Sequence, residues 1–309
     1  MNEYVSLLMG VVCAGVGGEL FVRGAVGLGR WARIPPGIIG ATVASFATSS
    51  PELSVSVNSA LAGCPQIALG DVLGSNVVNV SLILGLALAI SGIQCPRDSV
   101  KRDFPVALLV PVITGLLLLD GEISRLDGLL MLVMFVAWLV AVIIEARKQR
   151  STMDAVPEKH GGWLVILTCI AGLAFLVGAG NLIVAGAKGI AISFGIDEFI
   201  IGATIVAVGT SVPELATVVI AKLRGHDEVG LGTILGSNIF NGIFIVAVAA
   251  IIHPITVAWS EVAVALVFGL VVLVCAYPSR SGLIGRRRSV LLLVLYTSYL
   301  ATIIWWQAA

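Results

Sequence analysis

Two stretches of this chain set acids, hydroxyls and amides inside otherwise apolar runs. In the first, Ser45, Thr48, Ser49 and Glu52 stand at i, i+3, i+4 and i+7, which is one face of a helix. Pro51 falls in the same turn, so it withholds an N–H and clashes with the carbonyl four residues back, that of Ala47. In the second, Ala207, Thr210, Ser211, Pro213 and Glu214 repeat the arrangement. Two further pairs, Ser75 with Asn79 and Ser237 with Asn241, are spaced i, i+4 behind Gly74 and Gly236.

These groups offer two carboxylates, several hydroxyls, amide carbonyls and backbone carbonyls freed near Ser45–Ala47. Imidazole and thiolate are missing from the set. Oxygen-only ligation suits hard cations, Ca²⁺, Mg²⁺ and Na⁺, over Zn²⁺ or Cu⁺. Ca²⁺ accepts flexible coordination by 6–8 oxygens and two glutamates would neutralise it, whereas Mg²⁺ holds its waters and demands octahedral geometry. The competing reading is structural: a protonated Glu can serve as a hydrogen-bond donor, and Ser or Thr can bond its own helix backbone. Two copies of the same polar block, each with its own helix breaker, favour function, as ionisable residues inside membrane spans generally do.

The elements that position these groups follow from a repeat. Residues 40–79 align with 202–241 at a constant offset of 162, with 18 of 40 positions identical. GAT…ATSSPEL matches GAT…GTSVPEL, and LGSNVVN matches LGSNIFN. The shared Thr, Ser, Pro, Glu and Asn cannot come from apolar composition alone. That composition is extreme: 58% of residues are hydrophobic, 12% are charged and mean hydropathy is +1.07. A soluble chain carries about 25% charged residues. Ten apolar runs, at 5–29, 36–62, 67–92, 104–120, 126–146, 163–187, 197–222, 229–252, 259–277 and 289–307, are read as membrane spans. The first is taken as a retained helix, because no signal-peptide charge pattern precedes it. The expected fold is an all-α integral membrane protein with a five-span repeat at 1–147, a cytoplasmic linker at 148–162 and a second repeat at 163–309. Five is odd, so the second repeat is inverted, as in secondary transporters with a midplane site.

Orientation comes from the cations. Of 18 Lys and Arg, 15 fall in the connections on one side, and only Arg125 and Lys188 on the other, with Arg23 inside the first span. The positive-inside rule makes the rich side cytoplasmic and puts both termini outside. Trp31, Trp163, Trp259 and Trp305–Trp306 sit near run ends, as interfacial aromatics do. Net charge is zero, which excludes a basic nucleic-acid binder.

The remaining polar residues are read as supports. Glu19 pairs with Arg23, its i+4 neighbour. Asp71, whose repeat counterpart is Thr233, is an N-cap or interfacial residue at the start of the third span. Asn76 and Asn238 bond backbone or pack between helices. The five cysteines (Cys13, Cys64, Cys95, Cys169 and Cys275) lack CxxC spacing and are expected to be buried packing residues. His160, His226 and His253 have no assigned role. No GxGD, GxSxG or HExxH pattern occurs, so an enzyme is not expected, and no resident cofactor is called for. A channel built on the same ligands would not need two independently gated halves.

At its GTSxPE-like and GSNxxN blocks the chain resembles the sodium/calcium exchanger branch of the cation/calcium exchanger superfamily, over its whole length. The resemblance implies that spans two, three, seven and eight bind the ions, and that spans one and six slide across them. Glu52 and Glu214 would be central ligands for Ca²⁺ and Na⁺. Thr48, Ser49 and Ser75 would form one flanking Na⁺ site, and Thr210, Ser211 and Ser237 its mate. Backbone carbonyls of Ser45 and Ala207 would contribute, and Asn79 and Asn241 would line the middle. Family members typically move three Na⁺ inward for one Ca²⁺ outward by alternating access, and a monomer in the cell membrane would suffice. Members that also carry K⁺ have Asp at the place of Asn241, so K⁺-independent exchange is implied. Members coupled to H⁺ have an acid in the GN-containing block that is absent here, so Na⁺ coupling is favoured over Ca²⁺/H⁺ exchange. Moving one net charge at 100 mV would contribute roughly 2.3 kcal/mol.

Overall fold

A computed structural model describes residues 2–97, 99–150, 162–193 and 207–308. Among them, seven helical stretches are long and apolar enough to cross a membrane: Glu3–Ala32, Pro65–Ile90, Ser99–Asp120, Arg125–Gln149, Trp163–Ile183, Asp227–Ile252 and Trp259–Ala276. The last helix, Arg288–Ala308, has a shorter apolar stretch. The second and seventh runs are not continuous helices. The second divides into α2 (Pro36–Ile39), a π-helical turn (Gly40–Ala44), α3 (Ser45–Thr48) and α4 (Ser50–Leu61). The seventh enters the described residues as Ala207–Thr210 and continues as Val212–Leu223. Both breaks fall two residues ahead of the proline, at Ser49 (φ −84°, ψ 14°) and Ser211 (φ −84°, ψ 7°). The Gly202–Thr204 block, His160 and most of the expected linker lie outside the described residues.

Burial ranks the helices. The windows of Pro65–Ile90 and Asp227–Ile252 are 78% and 83% buried, against 22% for Arg125–Gln149 and Trp163–Ile183. The third and eighth runs therefore form the middle of the bundle. α1 (Glu3–Ala32) packs along the helix Gly162–Ser193, where Gly24 lies against the Cys169 backbone and Gly172 against Phe21. Such small-residue contacts let apolar helices associate without a hydrophobic driving force. Trp31, Trp163, Trp259 and Trp305 are all exposed, as interfacial tryptophans should be.

Strands were not expected, yet two minimal antiparallel pairs occur. β1 (Ile93–Gln94) pairs with β4 (Leu283–Ile284), and β2 (Glu122–Ile123) with β3 (Ile255–Thr256). Each register sets two buried isoleucines opposite one another, Ile93 with Ile284 and Ile123 with Ile255. β1 and β3 are separated by the repeat offset of 162, so one bridge is the counterpart of the other. Each joins connections that the ten-run reading places on the same side. At the centre Asn76 Nδ2 donates to the Asn238 carbonyl at 3.1 Å and Asn238 Nδ2 to the Asn76 carbonyl at 3.2 Å. These two residues are also 162 apart, so equivalent positions of the two repeat blocks bond each other reciprocally. They bear out the expectation that both amides bond backbone.

Among the described residues the cysteines are free, and only Cys95 is fully buried. Cys64 is exposed, contrary to expectation, because it occupies the turn just before α5 (Pro65–Val78).

Candidate cation site

The two half-helices α4 and Val212–Leu223 start where prolines end the preceding segment, and each carries its glutamate in the first turn. A helix N-terminus favours negative charge, so the backbone holds each carboxylate where the chain breaks. Both glutamates are fully buried. The contacts between them run across the repeats. Ser49 Oγ donates to Glu214 Oε1 at 2.8 Å and lies 3.0 Å from Ser237 Oγ, which also reaches Glu214 Oε1 at 3.4 Å. In the mirror arrangement Ser211 Oγ donates to Glu52 Oε1 at 3.5 Å. Thr48 reaches Glu214 as well.

The central helices supply the rest. α5 brings Ser75, and the π-helical turn Asn79–Ile83 begins at Asn79. The helix Asp227–Ile239 brings Ser237, and the π-turn Phe240–Ile245 holds Asn241. π-turns often mark functional sites, and here they recur at matched positions. Asn79 Nδ2 donates to Asn238 Oδ1 at 3.1 Å. Ser75, Asn79, Ser237 and Asn241 are all buried. The structure thus brings Thr48, Ser49, Glu52, Ser75, Asn79, Ser211, Glu214, Ser237 and Asn241 into one buried centre. Thr210 closes the short helix Ala207–Thr210, and Ala207 opens it.

Among the described residues, several oxygens in this centre have no hydrogen-bond partner: Glu52 Oε2, Glu214 Oε2, Ser75 Oγ, Asn79 Oδ1 and Asn241 Oδ1. A buried polar atom without a partner costs about 1–3 kcal/mol. Native proteins keep few of them, and an ion is one standard reason. The cluster of oxygens fits a hard cation of the Ca²⁺ or Na⁺ kind.

The carbonyls behave differently from expectation. The one that Pro51 frees is Ala47's, and Ser50 Oγ donates to it at 2.8 Å. The Ser45 carbonyl still accepts the Ser49 N–H at 2.9 Å and the Thr48 hydroxyl at 3.4 Å. Ser45's own hydroxyl turns back to Ala41 and Thr42 carbonyls at 2.9 and 3.0 Å. The Ser45 side chain is therefore held by its own helix, and its carbonyl already accepts two donors.

Asp71 requires a correction. It is neither an N-cap nor at the start of its helix: Cys64 flanks the N-terminus, and Asp71 lies nearly two turns inside α5. Its carboxylate hydrogen-bonds Thr210 and acts electrostatically on Glu52 and Glu214, while Oδ2 is buried without a partner. A third carboxylate thus borders the centre. Its counterpart Thr233 donates to its own helix, to the Val229 carbonyl at 2.9 Å. One signal was available in the sequence, namely that Asp71 lies in the same repeat block as Ser75 and Asn79.

A cleft of about 510 Å³ lies between α4, the Gly162–Ser193 helix and the Ala207–Thr210 segment. Its lining includes Thr210, and Pro51 and Pro213, which directly precede Glu52 and Glu214 in the sequence. Away from this cleft, Glu19 on α1 pairs with Arg23 as expected, and also with Arg224 at 2.7 Å. That second partner, 205 residues away, ties α1 to the end of the Val212–Leu223 helix.

Fold and site together define a polytopic helical membrane protein with an oxygen-only polar centre where the two repeated sequence blocks meet. A family model described as sodium/calcium exchanger protein matches residues 3–144 and 164–305. The chain belongs to that family. It is 35% identical over 257 residues to the putative antiporter CaxA of Alkalimonas amylolytica, covering 81% of each chain. It is 26% identical over 345 residues to the sodium/calcium exchanger MaX1 of Methanosarcina acetivorans, covering 97% of this chain and 98% of that one. Its fold matches the sodium-calcium exchanger NCX_Mj soaked with Na⁺ and Sr²⁺ at a TM-score of 0.83, with 29% identity and 97% of each chain covered.

Proposed function

We propose that this protein is a Na⁺/Ca²⁺ antiporter that works by alternating access. The observation that carries the reading is the pair of buried glutamates, cross-bonded through Ser49 and Ser211 and bordered by unpartnered oxygens. Glu52 and Glu214 neutralise one Ca²⁺, or share their charge among Na⁺ ions when these take its place. Thr48, Ser49 and Ser75 hold Na⁺ on one flank, and Thr210, Ser211 and Ser237 on the other. Asn79 and Asn241 line the middle, and the backbone at Ser45 and Ala207 supplies further oxygens. Asn241 adds no charge, which fits transport without K⁺. The two ions compete for the same carboxylates, so neither leaves unless the other arrives.

In this reading ten spans form two inverted five-span repeats, at 1–147 and 163–309, joined by the cytoplasmic 148–162 linker. Both termini lie outside, and a single chain in the cell membrane is complete. The cleft then opens to the outside while the Glu19–Arg224 pair lies at the inner end. The similarity to proteins named as Na⁺/Ca²⁺ exchangers and as an antiporter supports the exchange chemistry.

The test is uptake of ⁴⁵Ca²⁺ by proteoliposomes loaded with Na⁺ and diluted into Na⁺-free buffer. Uptake should need the outward Na⁺ gradient, persist without K⁺ and be indifferent to an imposed pH gradient. Uptake driven by the pH gradient instead would assign Ca²⁺/H⁺ exchange, and a strict K⁺ requirement would refute the role given to Asn241.

A further inference from the structure

A second polar concavity, far from the glutamates along the chain, lies where the β1–β4 bridge meets the helix ends. Its volume is about 710 Å³, and its walls include Arg97, Lys101 and Arg280 together with Gln94, Ser279 and Ser281. We propose that this bowl binds a phosphate group, as an anionic phospholipid headgroup or a free phosphate anion.

Among the described residues its charges are of one sign: Arg97, Lys101 and Arg280 form no salt bridge, and none of its described lining residues is an acid. The neighbouring Arg102 differs, being held by Asp103 at 2.8 and 3.0 Å. Cys95, also in the wall, adds no charge, since burial pushes its thiol up to about 12. Three cations gathered on one concavity repel one another unless an anion joins them, and guanidinium forks match phosphate oxygens.

The floor is already formed. Cys95 N–H donates to the Gly282 carbonyl at 2.8 Å, Gln94 Nε2 to the Ser281 carbonyl at 2.9 Å, and Ser279 and Ser281 hydroxyls lie 2.8 Å apart. Gly282 has φ +77°, and a Cβ there would meet Gln94 Nε2 at 2.9 Å. The turn is therefore specific to glycine.

The fold does not require these cations. The β2–β3 bridge builds the same scaffold at the related end, where the positions equivalent to Gln94, Arg97, Lys101 and Arg280 are Thr256, Trp259, Ala263 and Leu119. Orientation signals alone would leave the cations scattered over exposed loops, with no reason to face one bowl. Basic pockets at helix ends are known to take anionic headgroups.

Native mass spectrometry of the full chain in detergent, with dioleoyl-phosphatidylglycerol, dioleoyl-phosphatidylcholine or inorganic phosphate, tests the site. Wild type should retain phosphatidylglycerol in preference to phosphatidylcholine, with retention falling about fivefold for each cation removed in R97Q, K101Q and R280Q. The pair R286Q/R287Q, in the same connection but outside the bowl, should bind as wild type does. Phosphate that stabilises wild type against heat, but not R97Q/R280Q, would identify a free anion as occupant. Should that double variant misfold, K101Q alone carries the comparison. Equal losses in bowl and control variants, or retention of neither phosphatidylglycerol nor phosphate, would overturn the proposal.

Discussion

Replacing Glu214 by Gln separates charge from shape at the candidate centre. The side chain is fully buried, with Oε1 hydrogen-bonded by Ser49 at 2.8 Å and Oε2 without a partner. Gln keeps the volume and one carbonyl oxygen, so packing changes little. A bound Ca²⁺ would then keep one uncompensated charge out of reach of water. Breaking a buried charge pair costs about 3–5 kcal/mol, which is about two to three and a half powers of ten in Kd. Without ions the sign reverses, because two like charges packed together destabilise the fold and E214Q removes one. Isothermal titration calorimetry with Ca²⁺ in Na⁺-free buffer reads the first effect, and thermal unfolding of the ion-free protein reads the second. The reasoning predicts lost affinity together with an unchanged or higher ion-free Tm. Ca²⁺ binding within threefold of wild type would refute the ligand role, and a lowered ion-free Tm would refute the electrostatic argument. E52Q should behave alike, since the halves are related by the offset of 162.

Other substitutions test the places where the halves differ. Ser49 and Ser211 occupy the same motif position, but their bonds to glutamate are 2.8 and 3.5 Å. S49A should lower ion-free stability by about 1.5–3 kcal/mol, the value of a hydrogen bond to a charged group, and S211A by clearly less; denaturant unfolding distinguishes them. Gly236 is tightly packed, since a Cβ there would sit 2.7 Å from Ala41 Cα. G236A should therefore cost about 1–3 kcal/mol by overpacking and weaken Ca²⁺ binding through Ser237, read by denaturant unfolding and calorimetry. D71N should weaken Ca²⁺ binding less than E214Q does, since Asp71 borders the centre; affinity equal to wild type would deny it any electrostatic part.

The buried centre was legible in the sequence because its residues are conspicuous where they stand. Ser49, Pro51, Glu52, Ser75 and Asn79 recur at a constant offset inside apolar runs, and apolar composition cannot produce that coincidence. Periodicity along one helix then put the side chains on one face. What stayed hidden depends on partners distant in the chain. Asp71 was misplaced because the start of its helix is set by Pro65 and its role by Thr210, 139 positions on. The β1–β4 and β2–β3 bridges are two residues per strand, too short to show a period, and exist because loops from opposite halves meet. The single-residue breaks at Ser49 and Ser211 turn an apparently continuous run into two half-helices.

The claim that one centre is shared by two ions on alternating sides is tested most directly by trans dependence. Proteoliposomes loaded with ⁴⁵Ca²⁺ should retain it in external buffer free of Na⁺ and Ca²⁺, and release it when either ion is added outside. Equal release into buffer lacking both ions would contradict exchange and point to a channel.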